Sequence, residues 1–232
     1  MIILAIDSTA VVGSCAVLDD EKLLSSFTIN NGNTHSETLL PMIESSLKLL
    51  GLTADDVELF ALSEGPGSFT GVRIGAATVK GLSFGKNKPC VGISTLEALA
   101  ENLSGMNGII CPAMNARRNQ VYTALFRCCN GRMERLTEDR AISVEDLEKE
   151  LSLYDGNIFT CGDGDFLLYE SKTRSKNYGY VPYPLRLQNA YSVGICALRK
   201  YKNGDYKTDL TIAPTYLRPS QAERTRIEKE KK

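Results

Sequence analysis

The chain has no tryptophan and a single histidine, His35, in 232 residues. One imidazole excludes every mechanism that needs two, a His-x-x-x-His metal site first among them. Neither charge is in excess: 27 Lys and Arg face 28 Asp and Glu, a formal net charge of −1. The molecule as a whole is therefore no electrostatic clamp for nucleic acid, and any RNA contact must be local or shared with a partner. No stretch approaches the ~20 apolar residues of a membrane span. The opening MIILAIDSTA has no basic start and meets Asp7 before its apolar run is long enough for a signal peptide. The seven cysteines (Cys15, Cys90, Cys111, Cys128, Cys129, Cys161 and Cys196) are odd in number and never spaced CxxC, which fits neither a disulfide framework nor a zinc knuckle. A cytoplasmic protein in a reducing compartment, away from membranes, is the expectation. What is plentiful, 43% hydrophobic and 24% charged residues, is the composition of one large globular domain or two small ones.

Three β-type segments open the chain, IILAI, GSCAVLD and KLLSSFTIN, separated by short polar breaks. Thr34 and Glu37 then have capping-box spacing, and Leu39, Leu40, Ile43, Leu47 and Leu50 recur at helical intervals up to Gly51, with Pro41 expected to kink the helix. VELFALS reads as a buried strand, GPGSFTG as a tight loop and VRIGAATVKGLSFG as a second helix, before VGIS and TLEALAENL close the unit near Gly105. The second half repeats this order more loosely. GIICPAMN answers IILAID, QVYTALFRCC answers GSCAVLD, RMERLTEDRAIS supplies a third strand, and VEDLEKELSL and NIFTCG follow as helix and strand. A GDG loop stands where the first half has GPG, and Asp7 and Asn115 occupy corresponding strand ends. The chain thus reads as an α/β protein of two βββαβα lobes, residues 1–105 and 106–222, the second abbreviated to a helix around NAYSVGICALRKY, with a charged tail at 223–232.

The glycines of GPGSFTGVRIG would let backbone N–H groups approach an anion at a helix start, with Gly65, Gly67, Ser68, Thr70, Gly71 and Arg73 as the contacts; they would equally serve a turn and close helix packing. No GK[ST] follows, so the loop is not a Walker A. Down the second helix Gly71 and Gly75, and then Ala77, Gly81 and Gly85, form two small-residue tracks suited to a closely approaching backbone, from either an intramolecular sheet or a partner helix. The stripes Leu39, Leu40, Ile43, Leu47 and Val72, Ala76, Lys80 extend the second option to a four-helix contact with another subunit. His35 beside Ser36 and Glu37 names a base, a nucleophile and a carboxylate, but consecutive helical positions point about 100° apart, so no catalytic set forms and His35 is structural or interfacial. Arg117 and Arg118 in NARRNQVY would contact phosphate or a partner carboxylate, or stand in a solvated turn.

Taken together, ILAIDST, HSETLLP, GPGSFTGVRIGAATVKGL, NARRNQVY, GDG and PTYLRPSQAER resemble, in this order and over nearly the whole chain, the bacterial TsaB family, also called YeaZ. The resemblance implies a duplicated fold of the actin-like ATPase superfamily, ribonuclease H-like in each lobe. It also implies a part in forming N6-threonylcarbamoyladenosine at position 37 of tRNAs that read codons starting with A. In that role the chain would be a non-catalytic scaffold and activator of a TsaD-type catalytic paralog. The paralog would bind through His35, Leu39, Leu40, Ile43, Leu47, Val72, Ala76 and Lys80, a TsaE-type ATPase and tRNA would join the complex, and a homodimer would use the same surface when the chain is alone. The paralog carries its metal-binding histidine pair just after the strand that follows the glycine-rich helix, and here Thr95 and Leu99 stand at those places. Asp7 sits where an actin-like phosphotransferase holds its metal nucleotide, yet DSTAVVGS lacks the glycine such a loop uses. No cofactor is expected on the isolated chain, which leaves ATP or ADP to an interface in the complex. The family commonly has Asp where this chain has Asn115. The rival reading is an autonomous enzyme of the superfamily, a small-molecule kinase or an M22-type metallopeptidase, against which the missing histidines and incomplete phosphate loops speak.

Overall fold

The computed structural model describes residues 1–32, 34–173 and 178–218; the tail expected at 223–232 lies outside the described residues. β1 (Ile2–Asp7), β2 (Gly13–Asp19) and β3 (Lys22–Ile29) form an antiparallel meander. β4 (Leu59–Gly65) and β5 (Cys90–Ser94) extend it in parallel on the other side of β1, giving the order β3-β2-β1-β4-β5. Alternation along β1 assigns its two faces. Leu4 and Ile6 join Cys15, Val17, Phe60 and Leu62 under α1 (His35–Leu49) and α2 (Phe69–Ser83), which cover that face with Leu39, Met42, Ile43, Leu47, Ala76 and Val79. Ile3 and Ala5 join Ala16, Leu18, Ala61 and Ile93 on the opposite face, under Ala190, Val193 and Ala197 of α5 (Ala190–Lys202). Burial on both sides explains why β1, β2 and β4 are near-continuous apolar runs, while the edge strand β3 is not.

α1 runs unbroken through Pro41, which is exposed, so water can replace the one helical hydrogen bond its ring removes. The expected capping box does not form. Thr34 is the N-cap residue, but its hydroxyl lies 3.0 Å from Ser36 Oγ and caps no backbone N–H.

In the second lobe β6 (Gly108–Asn115) is the counterpart of β1, and β11 (Ile158–Cys161) pairs with it in parallel as β4 does with β1. The expected second and third strands are each divided in two. β7 (Gln120–Thr123) and β8 (Phe126–Cys129) lie antiparallel along β6 in one register, with Asn115 opposite Val121 and Gly108 opposite Cys128. Carried across the gap, that register sets Ala124 against Pro112, which has no N–H to give the ladder. β9 (Arg132–Arg135) and β10 (Arg140–Ser143) divide in the same way, one beside β8 and one beside β7. α4 (Val144–Leu151) covers one face of this sheet against Ile109, Cys111 and Val121. The other face, with Ile110, Met114 and Phe126, lies under Leu96 and Leu99 of α3 (Thr95–Glu101). A helix from the first half therefore covers the second sheet, and a helix from the second half covers the first. The two lobes exchange covering helices, so the sequence boundary at 105 is not a boundary in packing. No helix among the described residues is long and apolar enough to cross a membrane.

Candidate functional site

Between the lobes lies a cleft of about 820 Å³. Its first-lobe wall is Thr9, Ala10 and residues 66–70; its second-lobe wall is residues 114–118, Tyr122 and Asp163; residues 215–218 run along its mouth. Of the residues expected to meet phosphate, Gly67, Ser68, Thr70, Arg117 and Arg118 line this cleft, whereas Gly65, Gly71 and Arg73 do not.

The glycines of the first-lobe loop are required by the chain itself. A Cβ at Gly67 would stand 2.4 Å from the Thr9 carbonyl oxygen, at Gly71 2.0 Å from that of Ser8, and at Gly65, where φ is +123°, 2.4 Å from that of Thr215. The Ser68 N–H donates to the Thr9 carbonyl at 2.6 Å, and Ser68 Oγ accepts from the Gly71 N–H at 3.3 Å. Donors at this helix start that a phosphate would use thus already serve the β1–β2 loop and the helix's own cap. Arg73 is also engaged: it lies 3.8 Å over the Phe69 ring and donates Nε–H to the Tyr216 hydroxyl at 2.9 Å.

Asp7 is 1% exposed and absent from the cleft lining. Oδ1 accepts from the Thr9 N–H (2.9 Å) and hydroxyl (2.7 Å), and Oδ2 accepts from the Ser63 hydroxyl (2.5 Å). Burial pushes its carboxyl above the usual range, with the Ser63 and Thr9 hydrogen bonds acting in the opposite sense. A buried carboxylate held by Thr9 and by Ser63 of β4 does not fit the metal-nucleotide role that its position suggests, and among the described residues no lysine lines the cleft to reach a terminal phosphate.

The second-lobe wall is built differently. Asn115 caps its own turn, its side-chain oxygen accepting from the Arg117 N–H at 2.8 Å, and the Ala116 and Gln120 N–H groups close the loop on Gln120 and Arg117 carbonyls. Arg117, Arg118 and Asn119 all take left-handed backbone, with φ of +64°, +54° and +56°, which costs a non-glycine residue about 1 kcal/mol or more. Asp163 borders the cleft, accepts the Asn115 N–H at 3.3 Å, and has its carboxyl pushed up by the desolvating walls. Arg218 and Tyr122 join the site without having been expected there: Arg218 donates to Gln120 Oε1 at 2.7 Å and lies 5.7 Å over the Tyr122 ring. The YLRP motif holding Arg218 was visible, but nothing in the sequence says which loop it reaches.

The expected partner surface needs correction. Leu39, Ile43, Leu47 and Ala76 are buried in the first lobe's own core, against the sheet face that α1 and α2 cover together with Ile212, and Val72 is buried where it lines the cleft. Leu40 is 53% exposed, while His35 and Lys80 are half-buried. His35 Nε2 donates to the Ala10 carbonyl at 2.6 Å, which makes it a brace for the β1–β2 loop. The Gly71–Gly75 track packs on Ser8, but Gly81 on the second track faces open space. Thr95 and Leu99 are buried, and no group of three or more His, Cys, Asp or Glu among the described residues is arranged to hold a metal.

The family model of TsaD, tRNA N6-adenosine threonylcarbamoyltransferase, matches residues 22–165. The chain is 32% identical over 162 residues to the tRNA threonylcarbamoyladenosine biosynthesis protein TsaB of Bacillus subtilis, covering 70% of this chain and 71% of that one. The chain belongs to the TsaB family. Its likeness to TsaB of Escherichia coli is 32% over 167 residues, 71% of this chain and 72% of the relative. YeaZ from Pseudomonas aeruginosa shares the fold with a TM-score of 0.80 at 24% identity, over 93% of this chain and 99% of that one. The α/β fold of two related lobes is therefore one that this chain shares with YeaZ.

Proposed function

We propose that the chain is a non-catalytic, activating subunit in the formation of threonylcarbamoyladenosine in tRNA, assembled with a TsaD-type catalytic paralog in the cytoplasm. Participation in that biosynthesis is what its family is named for. The non-catalytic role is supported above all by the burial of Thr95 and Leu99. The two places that would carry a metal pair hold a hydroxyl and an alkyl group, and Leu99 is packed into the core beneath the second sheet. An autonomous kinase is disfavoured by Asp7, whose oxygens are taken by Thr9 of its own loop and by Ser63 of β4. The partner surface is the outer side of α1 and α2, where Leu40 and Phe84 are exposed and Gly81 leaves room for a second backbone, with His35 and Lys80 at its margin. A homodimer uses that surface when the chain is alone, and so competes with the paralog. A TsaE-type ATPase and tRNA complete the complex, and ATP or ADP sits at a shared interface. The test is reconstitution on unmodified tRNA with each component omitted in turn. Modification should vanish when this chain is left out; undiminished modification without it would overturn the proposal.

A further inference from the structure

We infer that residues 207–218 form a strap across the inter-lobe cleft and that Arg218 is its latch, the contact whose making and breaking sets how far the two lobes stand apart. The inference goes beyond the activating role and does not depend on it.

The way the lobes are joined is the first argument. The chain passes between the two packing units twice, from β5 into α3 at Ser94–Thr95 and from the second lobe into α5 at Asn189–Ala190. Beside these passages α3 meets α5, with Arg199 forked onto Glu101 at 2.6 and 2.8 Å and the Ser192 hydroxyl donating to Asn102 Oδ1 at 2.6 Å. None of these residues lines the cleft. Inside it Ala10 rests on the second-lobe cluster of Leu96, Leu99 and Met114, an apolar contact without direction. Among the described residues no hydrogen bond or ion pair runs from residues 9–11 or 66–72 to residues 114–118, Tyr122 or Asp163. Two bodies fixed together on one side and free on the other form a hinge, and a tie across the free side governs it.

The second argument is that the tie is held unequally at its two ends. On the first lobe, Cys90 and Lys207 exchange backbone hydrogen bonds of 2.9 and 2.8 Å, Lys207 Nζ donates to Glu64 at 3.1 Å, and Ile212 is fully buried in the core beneath α1 and α2. The Thr215 N–H donates to the Glu64 carbonyl at 2.7 Å, and the Tyr216 ring lies 4.9 Å from that of Phe69. This end is part of the fold. The other end is one side chain: Arg218 donates to Gln120 Oε1 at 2.7 Å and stands 5.7 Å over the Tyr122 ring. One hydrogen bond to a neutral acceptor and one cation–π contact release while the rest of the strap stays seated. Release also uncovers Tyr122, the aromatic ring of the second-lobe wall, as the cleft widens.

The test measures lobe spacing in the full chain. A Cys129→Ser background removes the one exposed cysteine. Spin labels are placed at Thr28→Cys and Glu145→Cys, one on each lobe, both exposed and at the cleft end of their elements. The labelled chain is diluted with unlabelled chain so that only distances within one molecule are read. The parent should show one narrow distance. Arg218→Ala and Gln120→Ala should each shift the population to a longer and broader one, and the two together should do little more than either alone, because they remove the same contact. Arg218→Lys, which keeps the charge without the planar fork, should fall between. A control pair within the first lobe, Thr28→Cys and Glu44→Cys, should not move. Unchanged spacing in Arg218→Ala would overturn the inference, as would a shift that Gln120→Ala fails to reproduce, since the arginine's partner would then lie elsewhere. Broadening of the control pair would trace the change to a loosened first lobe and also overturn it. Each of these failures leaves the activating role intact, because that role falls only if modification proceeds without the chain.

Discussion

The two loops that follow the first strand of each lobe occupy matching places and have been put to opposite uses. In the first lobe the β1–β2 loop and the glycine-rich loop after β4 close on one another, with the Ser68 N–H on the Thr9 carbonyl and no room for a Cβ at Gly67 or Gly71. The second lobe repeats the closure: the Gly164 N–H donates to the Ala113 carbonyl at 2.9 Å, and a Cβ at Gly162 would stand 2.3 Å from that same oxygen. What differs is the residue at the strand end and what comes after it. Asp7 is buried and spent on Thr9 and on Ser63 of β4, whereas Asn115 is exposed and caps the turn that carries Arg117 and Arg118 along the cleft. The first lobe uses this position for packing and the second for a charged surface, which shows that a duplicated motif keeps its geometry longer than its chemistry.

The largest effects should fall on the packing side of this contrast. Gly71→Ala sets a methyl against a backbone oxygen that cannot swing aside and should cost ~3 kcal/mol, read as a shift of the urea midpoint. Gly162→Ala should behave alike, with the positive φ of +96° adding to it. Gly81→Ala, in open space on the same helix as Gly71, should instead stabilise by up to ~1 kcal/mol. Equal behaviour of Gly71 and Gly81 would erase the distinction between packed and free glycines. On the charged side, Arg118 is a central residue of the hairpin turn between β6 and β7, so Arg118→Gly relieves its left-handed backbone and should raise stability by ~0.5–1 kcal/mol. A variant that loses stability would mean that the arginine side chain is there to pack.

The strand ends should also separate by pH. The Asp7 carboxyl is raised in the folded chain, so the native state holds its proton more tightly than the unfolded state does. Its contribution to stability is complete below the ordinary carboxylate value of 3.8 and is lost as pH rises through the raised value. The stability of the parent relative to Asp7→Asn, which cannot titrate, should therefore shrink as pH rises from about 4. A difference that grows over that range would show the folded carboxyl to be stabilised in its charged form.

The order of strands and helices was legible because burial imposes periodicity, except that QVYTALFRCC and RMERLTEDRAIS each read as one strand where the structure has two. The reason for the first division lies in Pro112 and shows only once β6 and its partners are paired. What periodicity does not carry is the identity of the covering surface. Leu39, Ile43, Leu47 and Ala76 announce a buried face, and a partner subunit or the chain's own sheet would write the same pattern. The glycine loop has the same ambiguity, because close approach to a phosphate and close approach to the Ser8 and Thr9 carbonyls both demand a missing Cβ. Of the cleft, Arg117 and Arg118 stood out, while Arg218 and Tyr122 did not, since their meeting depends on a C-terminal segment folding back across both lobes.

The central claim is that this chain lends a surface to the transfer and performs none of it. Single-turnover threonylcarbamoyl transfer to unmodified tRNA, measured with the chain alone, the paralog alone and the two together with the ATPase, tests it most directly. Modified adenosine should form with the full set and not with the chain alone; transfer by the isolated chain, in a preparation with no detectable paralog, would contradict the account.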